Sequence, residues 1–310
     1  MDSEDRVKPR LGDVFAGVDG SPSARAAALW AAAEAVRRER PLHLVHAADT
    51  DRRSLYTDAD TLQDVREAGR DLLVELAEAV GAEHPGLVVT RELSRQEPVA
   101  ALRAAAGRHG TVVVGHRGLG GFAALMLGSV GLGVAARAEG PVVVVRGAGD
   151  RPRHASVTAA VHDAEDLDWL LLAAAEAEAR KAVLRLVSVW NVFTHVGDVA
   201  TMLDDLDGTA RKRVHALKDL ADQVREVYPD LVVRHHVEPG TSTPGILVQA
   251  SDHTDLIVMG RGGRRLGVGP ALGRVAHSLI HHADCPVQIV PHTAAPPAPP
   301  HSLPTGGEGP

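Results

Sequence analysis

Short apolar runs alternate with longer amphipathic stretches along the whole chain. The runs at 112–114 and 256–259 are rich in β-branched residues and end at glycines, which is typical of buried strands in a parallel sheet. The stretch 58–82 instead carries apolar residues at helical spacing. This alternation predicts open parallel sheets with helices on both faces.

The predicted elements fall into two series with the same order. The first series has strands at 14–18, 42–47, 87–90, 111–115 and 141–145, with helices at 24–37, 58–82, 97–108 and from 129 onward. The second has strands at 157–161, 183–189, 231–236, 255–259 and 286–290, with helices at 166–179, 197–227, 244–251 and 274–283. In the turn 19–23, Ser21 suits a helix N-cap and Pro22 suits the first helical turn.

An internal repeat supports two domains. Gly115, Gly118, Gly128 and Pro141 recur 145 positions later as Gly260, Gly263, Gly273 and Pro286. The predicted domains are 11–147 and 154–291, joined by a Gly- and Pro-containing linker at 147–153. A charged lead-in at 1–10 and a Pro-rich tail at 292–310 are expected to be disordered.

The first glycine series has the features of a phosphate site. Glycines let the backbone approach an anion closely, and the free N–H groups of the helix that begins near Ser129 would point at it. A glycine loop alone is weak evidence, because most loop glycines serve turns. Its recurrence after a second predicted strand strengthens the prediction.

Composition narrows the class of protein. The 310 residues are 45% hydrophobic but only 3% aromatic, so Ala, Val and Leu must fill the cores. A net charge of −7 argues against a nucleic-acid or anionic-membrane partner. The one cysteine, Cys285, excludes an intrachain disulfide, and the absence of a signal peptide or a long apolar run predicts a cytoplasmic protein.

Both halves resemble universal stress protein domains, and the chain resembles a tandem pair of them. The first half has Gly-Val-Asp-Gly-Ser at 17–21 and the complete nucleotide motif Gly-x2-Gly-x9-Gly-(Ser/Thr) at 115–129. The segment 120–122 and the Asp-Cys-Pro-Val at 284–287 also resemble this family. The resemblance implies Rossmann-like, adenine nucleotide alpha hydrolase-like domains, each with an open five-stranded parallel sheet.

The resemblance also implies a set of ligand-binding residues at the carboxyl ends of the strands. ATP, with or without Mg²⁺, would be the cofactor, with Asp19 near the adenosine and the backbone at 45–47 near the adenine. The expected cofactor-binding residues are Gly17, Asp19, His46, Ala47, Gly115, His116, Gly118, Gly128, Ser129 and Val130. No metal-ligand set and no catalytic residue is predicted, and His116, which lies inside the glycine loop, either contacts the ribose or phosphates or makes no ligand contact.

The second half keeps the glycines and loses their polar partners. His162 stands opposite Asp19, with Asp163 one position late, and Arg274 stands opposite Ser129. An arginine at a helix N-terminus is unfavourable unless an anion lies there. Either Arg274 holds a phosphate or the second site is degenerate, and the paired changes favour degeneracy. Arg261, Arg264 and Arg265 suit an anion or a solvated face equally.

Three functions remain open from the sequence. The favoured one is an ATP-binding regulatory module in stress or dormancy response, with at most weak ATP hydrolysis. A slow ATPase or adenylyl-transfer enzyme would need Asp19 or His116 as its acid or base. A nucleotide-independent scaffold would bind no ATP. The two domains are expected to pair through their sheet edges, which removes an exposed edge strand, and the sequence leaves homodimerisation open.

Overall fold

The computed structural model describes residues 7–118, 128–146, 153–162, 166–191, 202–262 and 272–291. Most of the predicted linker and the whole predicted tail lie outside these ranges. Within the predicted lead-in, the Lys8 side chain contacts the second half of the chain. Its Nζ lies 2.6 Å from Glu178 Oε1 and 4.5 Å from the centroid of the Tyr228 ring.

The first half has five strands and five helices among its described residues. The strands are β1 Val14–Gly17, β2 Leu42–Ala47, β3 Val89–Ser94, β4 Thr111–Gly115 and β5 Val142–Val145. The helices are α1 Pro22–Arg38, α2 Thr50–Arg53, α3 Ala59–Glu83, α4 Pro98–Ala106 and α5 Ser129–Arg137. The alternation of strand and helix predicted from the sequence is confirmed here.

The second half repeats this order. Its strands are β6 Ser156–Ala160, β7 Val183–Asn191, β8 Val233–Gly240, β9 Leu256–Gly260 and β10 Val287–Val290. Its helices are α6 Leu167–Ala179, α7 Met202–Val227, α8 Thr243–Ser251 and α9 Arg274–His282.

Two five-stranded parallel sheets join edge to edge into one sheet of ten strands. The strand order is β3-β2-β1-β4-β5-β10-β9-β6-β7-β8, and only β5 and β10 pair antiparallel. In that central pair Val144 lies opposite Val287 and Val142 opposite Ile289. Each domain therefore covers one edge of the other, as expected from the cost of exposed edge strands.

The outer strands differ most from the sequence prediction. The third strand was expected at 87–90 and lies at Val89–Ser94, and the strand expected at 231–236 lies at Val233–Gly240. Both form the open edges of the sheet and carry exposed polar residues, so no continuous apolar run marks them. The short helix α2 was not predicted.

Small side chains let helix α1 lie close to the sheet. Ala27, Ala28, Ala31, Ala32 and Ala35 are all fully buried in the larger of two core clusters. Val113 of β4 and Val143 and Val145 of β5 belong to the same cluster, whereas the alternate valines of these strands belong to the other one. The prediction that Ala, Val and Leu fill the cores is confirmed, and the close packing leaves little room for rearrangement.

A buried ring of charges joins the two domains. Arg38 donates to Glu34 Oε1 at 3.0 Å and to Glu176 Oε1 at 2.6 Å, and Arg180 donates to Glu176 Oε2 at 2.5 Å and to Glu34 Oε2 at 2.6 Å. Each helix, α1 and α6, thus supplies one carboxylate and one guanidinium, and each pairs within its helix and across the interface. Glu34 and Glu176 are fully buried and Arg38 is 9% exposed. The side chain of Arg180 is 7% exposed.

The cluster holds Glu34 in its ionised form. Burial raises the pKa of this carboxyl, but the guanidinium groups of Arg180, Arg38 and Arg37 outweigh burial and lower it from 4.5 to about 2. Two carboxylates balance two buried guanidinium groups, so the ring carries no net charge. Buried charges are tolerated only when they are paired in this way.

Candidate functional site

The turn between β1 and α1 is fixed by its own side chains. Asp19 Oδ1 accepts a hydrogen bond from the Ser21 N–H at 2.9 Å, and Ser21 Oγ accepts one from the Ala24 N–H at 3.1 Å. Gly20 has a φ of +86°, which glycine adopts without strain. Ser21 is therefore the N-cap of α1, as predicted. Asp19 is held at the carboxyl end of β1.

Strand β4 ends against the first turn of α1. A Cβ at Gly115 would lie 2.5 Å from Ser23 Oγ and 2.6 Å from the Ser23 carbonyl oxygen, so only glycine fits there. His116 follows with Nδ1 3.1 Å from Ser23 Oγ, which also accepts from the Arg117 N–H at 3.3 Å. The start of the glycine loop is thus attached to the start of α1.

The two ends of the glycine loop lie side by side, next to Asp19. A Cβ at Gly118 would be 2.6 Å from Asp19 Oδ2, and a Cβ at Gly128 would be 3.4 Å from the Gly118 backbone nitrogen. The Gly128 N–H donates to the His116 carbonyl at 3.0 Å. Residues 119–127, including the family-like segment 120–122, lie outside the described residues.

Helix α5 begins at this point without a side-chain cap. Gly128 is its N-cap and offers no side chain to bind the first N–H groups. Ser129 is exposed and Val130 half-buried, and the N–H groups of a first helical turn have no partner within the helix. Within the described residues, the helix start therefore presents N–H donors without a side-chain cap, and its positive dipole end, beside Gly118.

The predicted adenine contacts lie at the end of the neighbouring strand β2. His46 Nδ1 lies 2.8 Å from the Val18 carbonyl oxygen, and a Cβ at Gly69 would be 2.7 Å from the His46 ring. His46 is therefore fixed between β1 and α3, and Ala47 ends the strand behind it. Gly17 has a packing reason to be glycine, because its Cβ would lie 2.9 Å from Leu102.

The surroundings of His116 favour its neutral form. Burial lowers the pKa of this imidazole, and the positive charges of Arg146 and Arg117 lower it further. A neutral ring can accept or donate one hydrogen bond through each nitrogen, and Nδ1 already faces Ser23. The two arginines add positive charge at the mouth of the site.

The corresponding place in the second half is built differently. Gly260 ends β9 as Gly115 ends β4, but Arg261 stands where His116 stands and donates to the Ala138 carbonyl at 2.6 Å. His162 occupies the position of Asp19, and its N–H donates to Asp166 Oδ2 at 2.6 Å. Gly263, Arg264, Arg265 and Asp163 lie outside the described residues.

The start of α9 differs in charge from the start of α5. Gly273 is the N-cap, again without a side-chain hydrogen bond, and the exposed Arg274 stands where Ser129 stands. The glycine and the helix start without a side-chain cap are kept, whereas His162 and Arg274 stand where the first half has the carboxylate of Asp19 and the hydroxyl of Ser129.

Comparison with known proteins agrees with this geometry. The model of the universal stress protein family matches residues 12–146 and 156–291. The chain belongs to the universal stress protein family. A universal stress protein of Mycobacterium tuberculosis is 33% identical over 296 residues, which are 89% of this chain and 96% of the relative. One of Mycolicibacterium smegmatis is 29% identical over 286 residues, with the same coverage.

Solved structures support the fold. A universal stress protein from Archaeoglobus fulgidus superposes with a TM-score of 0.66 at 17% identity, over 92% of this chain and all of that one. A putative universal stress protein from Pseudomonas aeruginosa gives a TM-score of 0.57 at 15% identity, over 91% of this chain and 93% of that one. The predicted family and α/β fold are confirmed.

Some residues at the universal stress protein site were not singled out from the sequence. Ser23 of α1 forms hydrogen bonds with the start of the glycine loop. The sequence feature that could have indicated this role is a second hydroxyl residue two positions after the N-cap serine. Arg146 influences His116 although it lies beyond β5, at a distance in sequence that no local pattern reveals.

Other chemistry is sparse in the described part of the chain. No group of three His, Cys, Asp or Glu side chains there could hold a metal ion, and no helix there is long and apolar enough to cross a bilayer. Cys285 is buried at the entry to β10.

Proposed function

We propose that the first universal stress protein domain binds an adenine nucleotide, with ATP as the expected ligand, and that binding regulates the protein rather than feeding a fast reaction. The observation that carries this proposal is the uncapped start of α5 beside Gly118 and Asp19. A phosphate chain would accept from the free N–H groups of residues 129–131, and Ser129 would add a hydroxyl.

The carboxylate of Asp19 gives the site a second, distinct end. A ribose carries hydroxyl donors that a carboxylate accepts well, whereas a phosphate would be repelled by it. The nucleotide would therefore lie with its sugar towards Asp19 and its phosphates towards α5. This orientation leaves the adenine towards the ends of β1 and β2, in the crevice where open α/β sheets bind ligands.

The second domain is proposed not to bind nucleotide in this manner. His162 replaces the carboxylate, Arg274 replaces the hydroxyl, and Arg261 is engaged with the first domain through the Ala138 carbonyl. Its role would be to complete the ten-stranded sheet and to sense the state of the first domain. Ligand binding to one state stabilises that state by mass action.

The direct test is to denature freshly purified protein and to identify and count the released nucleotide by chromatography and mass spectrometry. About one adenine nucleotide per chain is expected. Two per chain would contradict a degenerate second site. The scaffold alternative predicts none, together with no heat on adding ATP in calorimetry.

The substitution Gly118→Ala tests the location. The new methyl group would meet Asp19 Oδ2 at 2.6 Å, so the carboxylate must move, and bound nucleotide should be lost. Gly263→Ala makes the same change 145 positions later and should leave the nucleotide count unchanged. Gly81→Ala, whose Cβ would meet nothing within 4 Å, controls for the substitution itself. Equal loss in Gly118→Ala and Gly263→Ala would refute the assignment.

A further inference from the structure

A cavity of about 510 Å³ lies in the second domain, away from the proposed nucleotide site. It is formed along the first residues of β6, β7 and β8, whereas the glycine motifs follow the last residues of their strands. Its polar lining consists mainly of cationic and imidazole side chains, namely His154, Arg185, Arg234, His235, His236 and His253. The volume falls in the range of small-molecule sites.

The two arginines are neighbours across the sheet. Arg185 of β7 and Arg234 of β8 are register partners, so their Cα atoms are about 4.8 Å apart and their side chains leave the same face. Like charges directly opposite each other on adjacent strands are destabilising. Neither guanidinium has a carboxylate partner among the described residues. An anion between them would remove the repulsion.

Two further polar atoms of the lining lack a hydrogen-bond partner among the described residues. His154 Nε2 and Ser156 Oγ are buried and make no hydrogen bond within the described residues. A buried polar atom without a partner costs about 1–3 kcal/mol, so such atoms are uncommon. The nearby acidic side chains are already engaged: Glu238 Oε2 lies 2.7 Å from His236 Nε2, and Asp255 accepts from the His154 and Ser156 N–H groups.

The corresponding place in the first domain is built from different residues. Strand registers make Phe15 the counterpart of Thr158, His43 of Arg185, and Thr90 of Arg234. There the Phe15 ring stacks on His43 with centroids 4.3 Å apart, and His43 Nδ1 lies 2.6 Å from Thr90 Oγ1.

The acidic residues of that place are changed as well. Asp13, whose Oδ2 lies 3.4 Å from His43 Nε2, corresponds to Ser156, and Glu92 corresponds to His236. At these five positions the second domain has lost an aromatic ring and two carboxylates and has gained two guanidinium groups, while the engaged Glu238 and Asp255 stand where the first domain has Ser94 and Gly110. Because the whole chain carries a net charge of −7, this positive pocket is a local feature.

We propose that this cavity is a binding site for a small phosphate-bearing anion, held between Arg185 and Arg234 and hydrogen-bonded by His154 and Ser156. The planar guanidinium groups suit the oxygens of a phosphate, and a charged acceptor would satisfy the buried ring nitrogen and hydroxyl. This site is independent of the proposed nucleotide site, which lies in the other domain at the opposite ends of the strands.

The test uses inorganic pyrophosphate as the probe, in calorimetric titrations of the full chain at low salt. The double variant Arg185→Gln, Arg234→Gln should bind at least tenfold more weakly than the wild type. Arg91→Gln removes one charge from the exposed edge strand β3 and should bind as the wild type does. Because pyrophosphate also suits the proposed nucleotide site, each titration is repeated in the Gly118→Ala background, where the binding that remains belongs to the arginine-lined cavity.

Two further readouts distinguish a ligand site from a structural role. Arg185→Lys keeps the charge but loses the planar fork of donors, so it should bind pyrophosphate more weakly than the wild type and more tightly than Arg185→Gln. The double glutamine variant should melt no lower than the wild type without ligand, because a repulsive pair has been removed. The proposal fails if pyrophosphate does not bind at millimolar concentration, if the double variant binds it unchanged, or if only Gly118→Ala abolishes binding.

Discussion

The two domains share one fold, and matched positions carry the same residues at the interface helices but different residues at the strand ends. At the interface helices, Glu34 and Arg38 of the first domain are matched by Glu176 and Arg180 of the second. At the strand ends, Asp19 is matched by His162. Each charge of the ring is paired with the others, so replacing one of them leaves a buried charge without its partner. A residue at a strand end can be replaced without disturbing the sheet. The two repeats therefore share the sheet and the buried charged ring but differ at the residues of the candidate site.

The largest effect should come from breaking the shared frame. In Glu176→Gln, Arg38 and Arg180 would remain buried with one carboxylate too few, at a cost of about 3–5 kcal/mol in the free energy of unfolding. Denaturant unfolding of the purified variant measures this cost.

The neighbouring pair on the same helix provides the control. Glu178 binds Lys8 at the surface with about half of each side chain exposed, so Glu178→Gln should cost less than about 1 kcal/mol. Glu34→Gln should cost at least as much as Glu176→Gln, because Glu34 also pairs with Arg37. A Glu176→Gln protein as stable as Glu178→Gln would show that the ring contributes little.

The same ring predicts an acid-sensitive stability. The pKa of Glu34 is lowered from 4.5 to about 2 on folding, so its contribution is complete above pH 4.5 and is lost as the pH falls from 4.5 towards 2. The shift corresponds to at most about 3 kcal/mol. Unfolding free energies at several pH values should fall more steeply in the wild type than in Glu34→Gln, and parallel curves would contradict this origin.

A smaller effect tests the difference between the strand ends. Asp19→Ala should weaken ATP binding by about 2 kcal/mol, or roughly 30-fold, if the carboxylate accepts from the ribose. That loss is enough to remove nucleotide during purification. His162→Ala, the matched change in the second domain, should leave ATP affinity unchanged in calorimetry. If both variants weakened ATP binding equally, Asp19 would not have the distinct role in ATP binding that is proposed for it.

The sequence predicts the interior of this molecule better than its edges and interfaces. Strands such as β4 and β9 are marked by continuous apolar runs, and the helix start at Ser129 is marked by glycine spacing. Glu34 and Arg38 instead have the i, i+4 spacing of an ordinary surface pair, and only the partner helix shows that they are buried. Arg185 and Arg234 likewise stand together only once the register of β7 and β8 is known.

The smallest expected effect concerns the residue that most distinguishes the second helix start. Arg274 lies at the first position of α9, where its positive charge opposes the helix dipole at the exposed N-terminus. Arg274→Ser, which introduces the residue found at the start of α5, should raise the free energy of unfolding by about 0.3–1 kcal/mol at low salt. The gain should shrink in high salt, because exposed charges are screened.

Arg137 provides the mirror control, since it lies in the last turn of α5, where a positive charge is favourable. Arg137→Ser should therefore lower stability by a similar amount under the same conditions. Nucleotide content should not rise in Arg274→Ser, because His162 still stands in the place of Asp19. A loss of stability in Arg274→Ser would instead mean that an anion normally lies at this helix start, and the second site would then not be degenerate.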